Sequence, residues 1–192
     1  MIRRFLVLAG VLAITAPAAL AQTATWVPDK AHCEVNFSIV HLSLANVRGR
    51  FGNIGGTLVL DQSDITKSKV SMTIDVTTVD TGVAFRDADL KSAHFFDVAQ
   101  YPTATFVSTS FKKNGSRLEI TGNLTLHGVT KPVVLQVEGP NGPVAGMDHK
   151  PHIGFSATTT IDRTAFGIGK NYPAAMIGDT AELSIDLDLA KQ

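Results

Sequence analysis

From residue 33 onward the chain runs through one short stretch after another in which apolar and polar side chains alternate. Cys33, Val35, Phe37, Ile39 and His41 take turns with Glu34, Asn36, Ser38, Val40 and Leu42, and a period of two puts the first set on one face of a strand. His41 thereby falls on a mostly apolar face. The same rhythm returns over 69–79, with Val70, Met72, Ile74 and Val76 together, and over 103–111, 116–126 and 129–138. It closes the chain with Ile153, Phe155, Ala157, Thr159 and Ile161, then Ala181, Leu183, Ile185, Leu187 and Leu189. Segments 47–51 and 57–61 flank Gly52-Asn53-Ile54-Gly55-Gly56, which predicts a bent strand or a hairpin with a glycine kink. Asn114-Gly115 and His127-Gly128 are hairpin signals. The glycine- and proline-rich stretch 139–151 reads as a loop.

Two stretches break the rhythm. In 85–102, FRDADLKSAHFFDVAQYP, the apolar residues Phe85, Leu90, Phe95 and Phe96 keep neither alternation nor a long helical stripe. The pattern predicts a short helix from about Val83 to Lys91 followed by an aromatic elbow. In an otherwise all-β chain such a piece covers an open end of the sheet or plugs a cavity mouth. The second stretch, 162–179, carries Arg163, Phe166, Tyr172, Pro173 and Met176. About eight strands joined mostly by short turns favour an antiparallel sheet, and eight strands can close into a barrel that is filled by side chains or holds one small ligand. The expected fold is therefore all-β, an eight-stranded antiparallel barrel with one or two short helices in 81–102 and 162–179. A two-sheet sandwich is the alternative.

Composition narrows the address. Arg3 and Arg4, the apolar run 5–16 and Ala19-Leu20-Ala21 make 1–21 a secretory signal peptide, with cleavage after Ala21. Residues 22–192 then form a single domain in the periplasm. Without Arg3 and Arg4 the chain has 15 basic and 17 acidic residues, a formal charge of −2. That balance, with no basic run, argues against a nucleic-acid partner. Cys33 is the only cysteine, so an intramolecular disulfide is impossible, and its place in the alternation makes it a buried, inert thiol.

Taken in order, a longer set of residues has a familiar look: His32, Phe37 and His41-Leu42; Gly49-Arg50-Phe51 and Gly55-Gly56; Val79-Asp80-Thr81; Arg86-Asp87, Leu90, Ser92, Phe95 and Tyr101-Pro102. Gly122-Asn123-Leu124-Thr125-Leu126-His127-Gly128-Val129-Thr130-Lys131-Pro132, Arg163 and Phe166-Gly167-Ile168 complete it. The set resembles the YceI-like family of bacterial periplasmic polyisoprenoid-binding proteins, over nearly the whole of 22–192. The resemblance implies a lipocalin-like eight-stranded barrel whose apolar interior takes a long isoprenoid or other amphiphilic chain, with no cofactor and no established catalysis. Cys33, Lys91 and His94 stand where the family commonly has Ser, Arg and an acidic residue, so the chemistry of the rim is this chain's own.

On this reading Phe37, Ile39, Phe106, Leu124 and Phe155 line a tail pocket, and Phe85, Phe95, Phe96 and Phe166 belong to its mouth or plug. His41, Arg86 and Arg163 are the polar candidates for a head group, although Arg86-Asp87 and Arg163 serve equally well as fold-fixing groups. His149 and His152 lie three apart in a proline-containing loop with no third ligand close in sequence, so no metal is expected. No nucleophile elbow, H-E-x-x-H helix or phosphate loop is present, and the chain reads as a binding protein rather than an enzyme. A lipid isomerase or hydrolase would have to use His41. The expected partner is an isoprenoid or similar lipid, with transient membrane contact and a homodimer compatible with the pattern. The competing class is a structural or stress-response envelope protein whose barrel is filled by its own side chains.

Overall fold

The computed structural model describes residues 23–192; the expected signal peptide, 1–21, and its expected cleavage point lie outside the described residues. Ten strands lie in one antiparallel sheet whose order returns on itself. They are β1 (Thr23–Pro28), β2 (Glu34–His41), β3 (Ala45–Phe51), β4 (Ile54–Asp61), β5 (Lys69–Asp75), β6 (Thr103–Asn114), β7 (Arg117–Leu126), β8 (Val129–Ala145), β9 (Pro151–Asp162) and β10 (Ile177–Lys191). The wall nevertheless has eight positions. β1 and β2 are two halves of one strand: both pair with β10, at Trp26–Pro28 and at Glu34–His41. β3 and β4 are likewise halves of the next, pairing with β2 and β1 respectively. The molecule is thus a closed eight-stranded antiparallel barrel, and closure pairs both edges of every position except along β3, whose outer edge carries one isolated bridge.

The breaks between halves have local causes. Asn53, at φ 51°, turns β3 into β4, so the glycine-rich segment bends a strand and does not make a hairpin. Between β1 and β2 the chain steps aside at 29–33, and the gap is tied to β10 by Asp29 N donating to Asp188 O at 2.9 Å. At His127-Gly128 both residues are left-handed, φ 52° and 73°, the conformation that matches the twist of a two-residue hairpin. Asn114 pairs with Arg117 across Gly115-Ser116, as the Asn-Gly signal predicts.

Three stretches differ from the sequence reading. The alternation over 69–79 is strand only to Asp75, after which Val76–Thr78 winds into a 3-10 turn. β1 is a strand the alternation did not reveal. The 139–151 loop is mostly wall: β8 continues to Ala145, with register shifts after Glu138 and Asn141 and cis peptides before Pro140 and Pro143. A bulge is where a sheet tolerates proline, because the missing N–H falls outside the ladder.

Beyond β5 the chain passes through a 3-10 turn to α1 (Ala84–Lys91). Here the wall is thinnest, with β3 held to the chain after β5 by the single bridge Arg50–Asp80. α1 and the elbow after it stand beside this gap. Val83 caps the helix without a side-chain bond. A clasp ties the first turn to the chain before it: Asp87 accepts from both N and Oγ1 of Thr81, at 2.9 and 2.5 Å, and Arg86 Nε donates to the same Oγ1 at 2.7 Å. The second excursion holds only a 3-10 turn at Thr164–Phe166. No helix among the described residues is long and apolar enough to cross a membrane.

Candidate functional site: a two-chambered apolar cavity

The inward faces of the strands enclose two adjoining spaces. The outer one, about 370 Å³, lies at the α1 end and is lined by Phe37, Ile39, His41, Phe51, Phe85, Arg86, Phe95, Phe96 and Leu124 among others. The inner one, about 130 Å³, is lined by Phe106, Phe155, Leu124 and the aliphatic residues of β5, β8 and β10. Val35, Ile74, Leu124 and Leu183 border both, so they form the neck between them. The lining is almost entirely carbon, and Phe37, Ile39, Leu183, Ile185 and Leu187 remain only half-buried although they point inward. Phe37, Ile39 and Leu183 line the outer space, and Leu183, Ile185 and Leu187 the inner one.

Aromatic packing shapes the outer chamber. Phe37, Phe51 and Phe96 form a chain of rings with centroids 5.5 and 5.4 Å apart, the second pair edge to face. Phe95 stacks on Tyr172 at 5.0 Å and so ties the elbow to the second excursion. Contacts of this geometry add about 0.5–1.5 kcal/mol each beyond area burial. Gly49 makes room for the first ring: a Cβ there would fall 2.5 Å from a ring carbon of Phe37.

Eight of the nine apolar candidates line one chamber or the other: Phe37, Ile39, Phe85, Phe95 and Phe96 the outer, Phe106 and Phe155 the inner, and Leu124 both. Phe166 does not. It is 2% exposed in the packed core, and what it offers its surroundings is a carbonyl facing His127 Nδ1 at 3.1 Å. Phe85 lies at the rim with 82% of its surface exposed. Residues the sequence did not single out complete the lining, chiefly Val35, Phe51, Leu126, Ile161 and Tyr172.

The polar candidates separate. His41 is exposed at the end of β2, at the edge of the outer chamber. Arg86 borders the chamber while its Nε and one terminal nitrogen hold Thr81. Arg163 also borders it, yet is 3% exposed and fully committed. Its Nε donates to Gly178 O, one terminal nitrogen to Ile168 O and Gly169 O, and the other to Tyr172 O, Ile177 O and the Asp179 carboxylate. A guanidinium has five N–H bonds, and none is left for a head group. Arg163 therefore fixes the second excursion, which in turn holds Tyr172 and Ile168 against the cavity.

A polar cluster marks the opposite end of the barrel. His152 is buried between two carboxylates, with Nδ1 2.6 Å from Asp188 Oδ1 and Nε2 3.0 Å from Asp148 Oδ1. His32 pairs with Asp29 nearby at 2.9 Å. The bond to Asp188 holds His152 above the ordinary imidazole range, and the bond to His32 holds Asp29 below the usual carboxylate range. With an acceptor at each ring nitrogen, the imidazolium is the satisfied form. His149 takes no part, so the sequence pair His149–His152 is not a unit. Cys33 is buried, donates weakly to Asp188 O at 3.1 Å, and desolvation pushes its thiol up to about 11.

The YceI-like domain family matches residues 26–189, which is nearly the whole described barrel. The chain belongs to the YceI-like family. It is 50% identical over 107 residues to Protein YceI of Salmonella newport, a match spanning 56% of each chain, and equally so to that of Salmonella arizonae. The chain thus spans about half the length of the curated relatives it matches. Among solved structures, the YceI protein of Campylobacter jejuni is 30% identical, with a TM-score of 0.70 over 80% of this chain and 90% of that one. Burkholderia cenocepacia BcnA shares the fold at 24% identity, TM-score 0.74, over 84% of this chain and 98% of that one. A polyisoprenoid binding domain from Saccharophagus degradans, implicated in plant cell wall breakdown, shares it at 16% identity, TM-score 0.65, over 89% of this chain and all of that one. The aromatic-lined interior described above is this member's version of the YceI-like barrel.

Proposed function

We propose that this YceI-like protein is a periplasmic carrier that takes the apolar tail of a long-chain isoprenoid or similar amphiphilic lipid into its barrel. The observation that carries the reading is the outer chamber, a space of about 370 Å³ with an almost wholly apolar lining. A methylene needs about the volume of a liquid water, roughly 30 Å³, so this chamber takes about a dozen such groups and the inner one about four more. The fold shared with the polyisoprenoid binding domain of Saccharophagus degradans, together with this chain's YceI-like family, supports an isoprenoid as the class. A barrel filled by its own side chains accords poorly with inward residues such as Phe37 and Leu183 that stay half-exposed.

Binding without catalysis also suits the site. His41, the group an acid–base mechanism would need, stands at the exposed rim and not inside the apolar chamber. Carriage follows from energetics. Moving a methylene from water is worth about 0.8 kcal/mol, but a lipid tail in a bilayer is already out of water. The net preference for the barrel is then small, which lets one protein both load and release. Replacing Phe37, on the outer chamber wall, with Asp places a charge where the tail would lie. The folded variant loses uptake of a fluorescent long-chain amphiphile; unchanged uptake would remove Phe37 from the pocket and weaken the reading.

A further inference from the structure

The large exposed apolar side chains are unevenly distributed. Val40, Leu42, Leu44, Phe85 and Met176 are 43, 47, 84, 82 and 42% exposed, and they belong to three neighbouring segments at the outer chamber. His41, Phe85 and Met176 line that chamber, Leu42 N donates to Met176 O at 2.8 Å, and Leu44 N to His41 O at 3.0 Å. The apolar collar is therefore continuous with the cavity mouth. Isolated exposed apolar residues need no explanation, but a contiguous group around an opening does.

The turn that carries the collar is held in an unfavourable conformation. Leu42 and Ser43 are both left-handed, φ 51° and 56°, at the two central positions where Asn-Gly is the relaxed choice. A bulky residue there is strained, and the sequence keeps two leucines on it, pointing out from the end of β2. Two of its three segments are free of charge: 40–46 and 171–177 contain no Asp, Glu, Lys or Arg, and the third, around Phe85, balances Arg86 against Asp87 in the Thr81 clasp, with Asp89 beside them at the mouth. Such a surface matches neither an acidic nor a basic partner.

We propose that this collar docks the barrel mouth-first onto a neutral lipid bilayer. The inference rests on the carrier reading for what passes through the mouth, and it adds where and how the protein meets its lipid. The outer chamber, closed from the inner one by the neck, holds only about a dozen methylene-sized groups, so a longer chain projects through the mouth. A collar set into the acyl boundary keeps the projecting part out of water. The far end offers no equivalent surface, since Val144 and Met147, 66 and 100% exposed there, line neither chamber.

The test is flotation of residues 22–192 with phosphatidylcholine vesicles, with uptake of a monomeric fluorescent amphiphile from buffer measured separately. The wild type floats with vesicles, little affected by salt. Leu44→Asp and Leu42→Asp lower the vesicle-bound ratio at least about tenfold, as expected when one buried leucine is lost, and leave uptake from buffer unchanged. Met147→Asp floats like the wild type. Flotation of Leu44→Asp at the wild-type level overturns the collar while leaving the carrier reading intact. A wild type that floats but takes up no amphiphile leaves the collar standing and sinks the carrier. If Leu44→Asp instead dissociates a dimer in sedimentation, and the wild type ignores vesicles, the collar is an interface between copies and the proposal fails.

Discussion

Leu124 decides how deep a tail can reach. It borders both chambers and is 8% exposed, so its side chain is part of the neck. Leu124→Ala removes that side chain at a stability cost of about 2–5 kcal/mol, which a domain of ordinary stability survives. The inner chamber of about 130 Å³ then becomes continuous with the outer one. It adds room for about four methylenes, worth about 3 kcal/mol relative to water, or roughly two orders of magnitude in affinity. The gain belongs only to tails long enough to pass the neck. Displacement of a fluorescent probe by a homologous series of straight-chain amphiphiles, each below its aggregation limit, measures it. In the wild type, affinity climbs with length and levels off near about twelve carbons; in Leu124→Ala the plateau moves to about sixteen. Leu124→Trp, which fills the neck, keeps the plateau at or below the wild-type length. Folding of the wild type and Leu124→Ala is followed by the fluorescence of Trp26, their single tryptophan, 2% exposed, and that of Leu124→Trp by circular dichroism. Identical plateaus in folded wild type and Leu124→Ala would refute the two-chamber reasoning.

Three further outcomes follow from the polar groups. Arg163→Met strips donors from five backbone carbonyls and the Asp179 carboxylate, and breaking a buried charged network costs about 3–5 kcal/mol; a urea midpoint corresponding to a loss under about 1 kcal/mol would show that the clasp is not what orders the second excursion. His152 is raised, by its bond to Asp188 first, so its contribution is full below the unfolded value near about 6.5 and is lost as pH rises through the folded value. Asp29 and Asp148 are lowered, by His32 and by the Lys150 amide first, so theirs is present above about 3.9 and lost as pH falls through the folded values. The gap in thermal midpoint between wild type and His152→Gln is therefore widest between about pH 4 and 6.5 and narrows on the alkaline side; a gap independent of pH counts against the bridged imidazolium. Cys33, 6% exposed with its thiol pushed up to about 11, stays unlabelled by iodoacetamide at pH 7.5 until urea unfolds the barrel, and rapid labelling of the native protein would contradict its burial.

How much of this was legible depended on whether the information is local. Alternation in 33–42, 69–75 and 152–161 marked strands and their inward faces, because one buried face imposes a period of two; at 76–78 the same alternation continued into a 3-10 turn and misled. The helix was legible as a break in that period: α1 begins at Ala84 after Val83 and ends at Lys91, as the pattern predicts. β1 escaped because its six residues carry only Ala24 and Trp26 as buried positions, too few to establish a period. The tail of β8 escaped because Gly-Pro pairs signal loops, and only the register shifts opposite β9 give them a place in a sheet.

The site was legible where a side chain's face follows from its strand, as for Phe37, Ile39, Phe106, Leu124 and Phe155. It was misjudged where the backbone decides. Nothing in the order of residues shows that five carbonyls of the second excursion turn toward Arg163, or that Phe166 packs away from the cavity two residues before Ile168, which lines it. The cluster of His152, Asp188 and Asp148 was invisible for the same reason: His152 and Asp188 are 36 residues apart and meet only because β9 and β10 pair.

The most direct test of the central claim is native mass spectrometry of the protein recovered from cells without detergent, followed by organic extraction and identification of what is released. The account predicts a stoichiometric adduct that yields an amphiphile with a long apolar tail. An adduct-free mass that persists after incubation with isoprenoid and straight-chain amphiphiles would contradict it, and would leave the barrel a scaffold whose interior serves only its own fold.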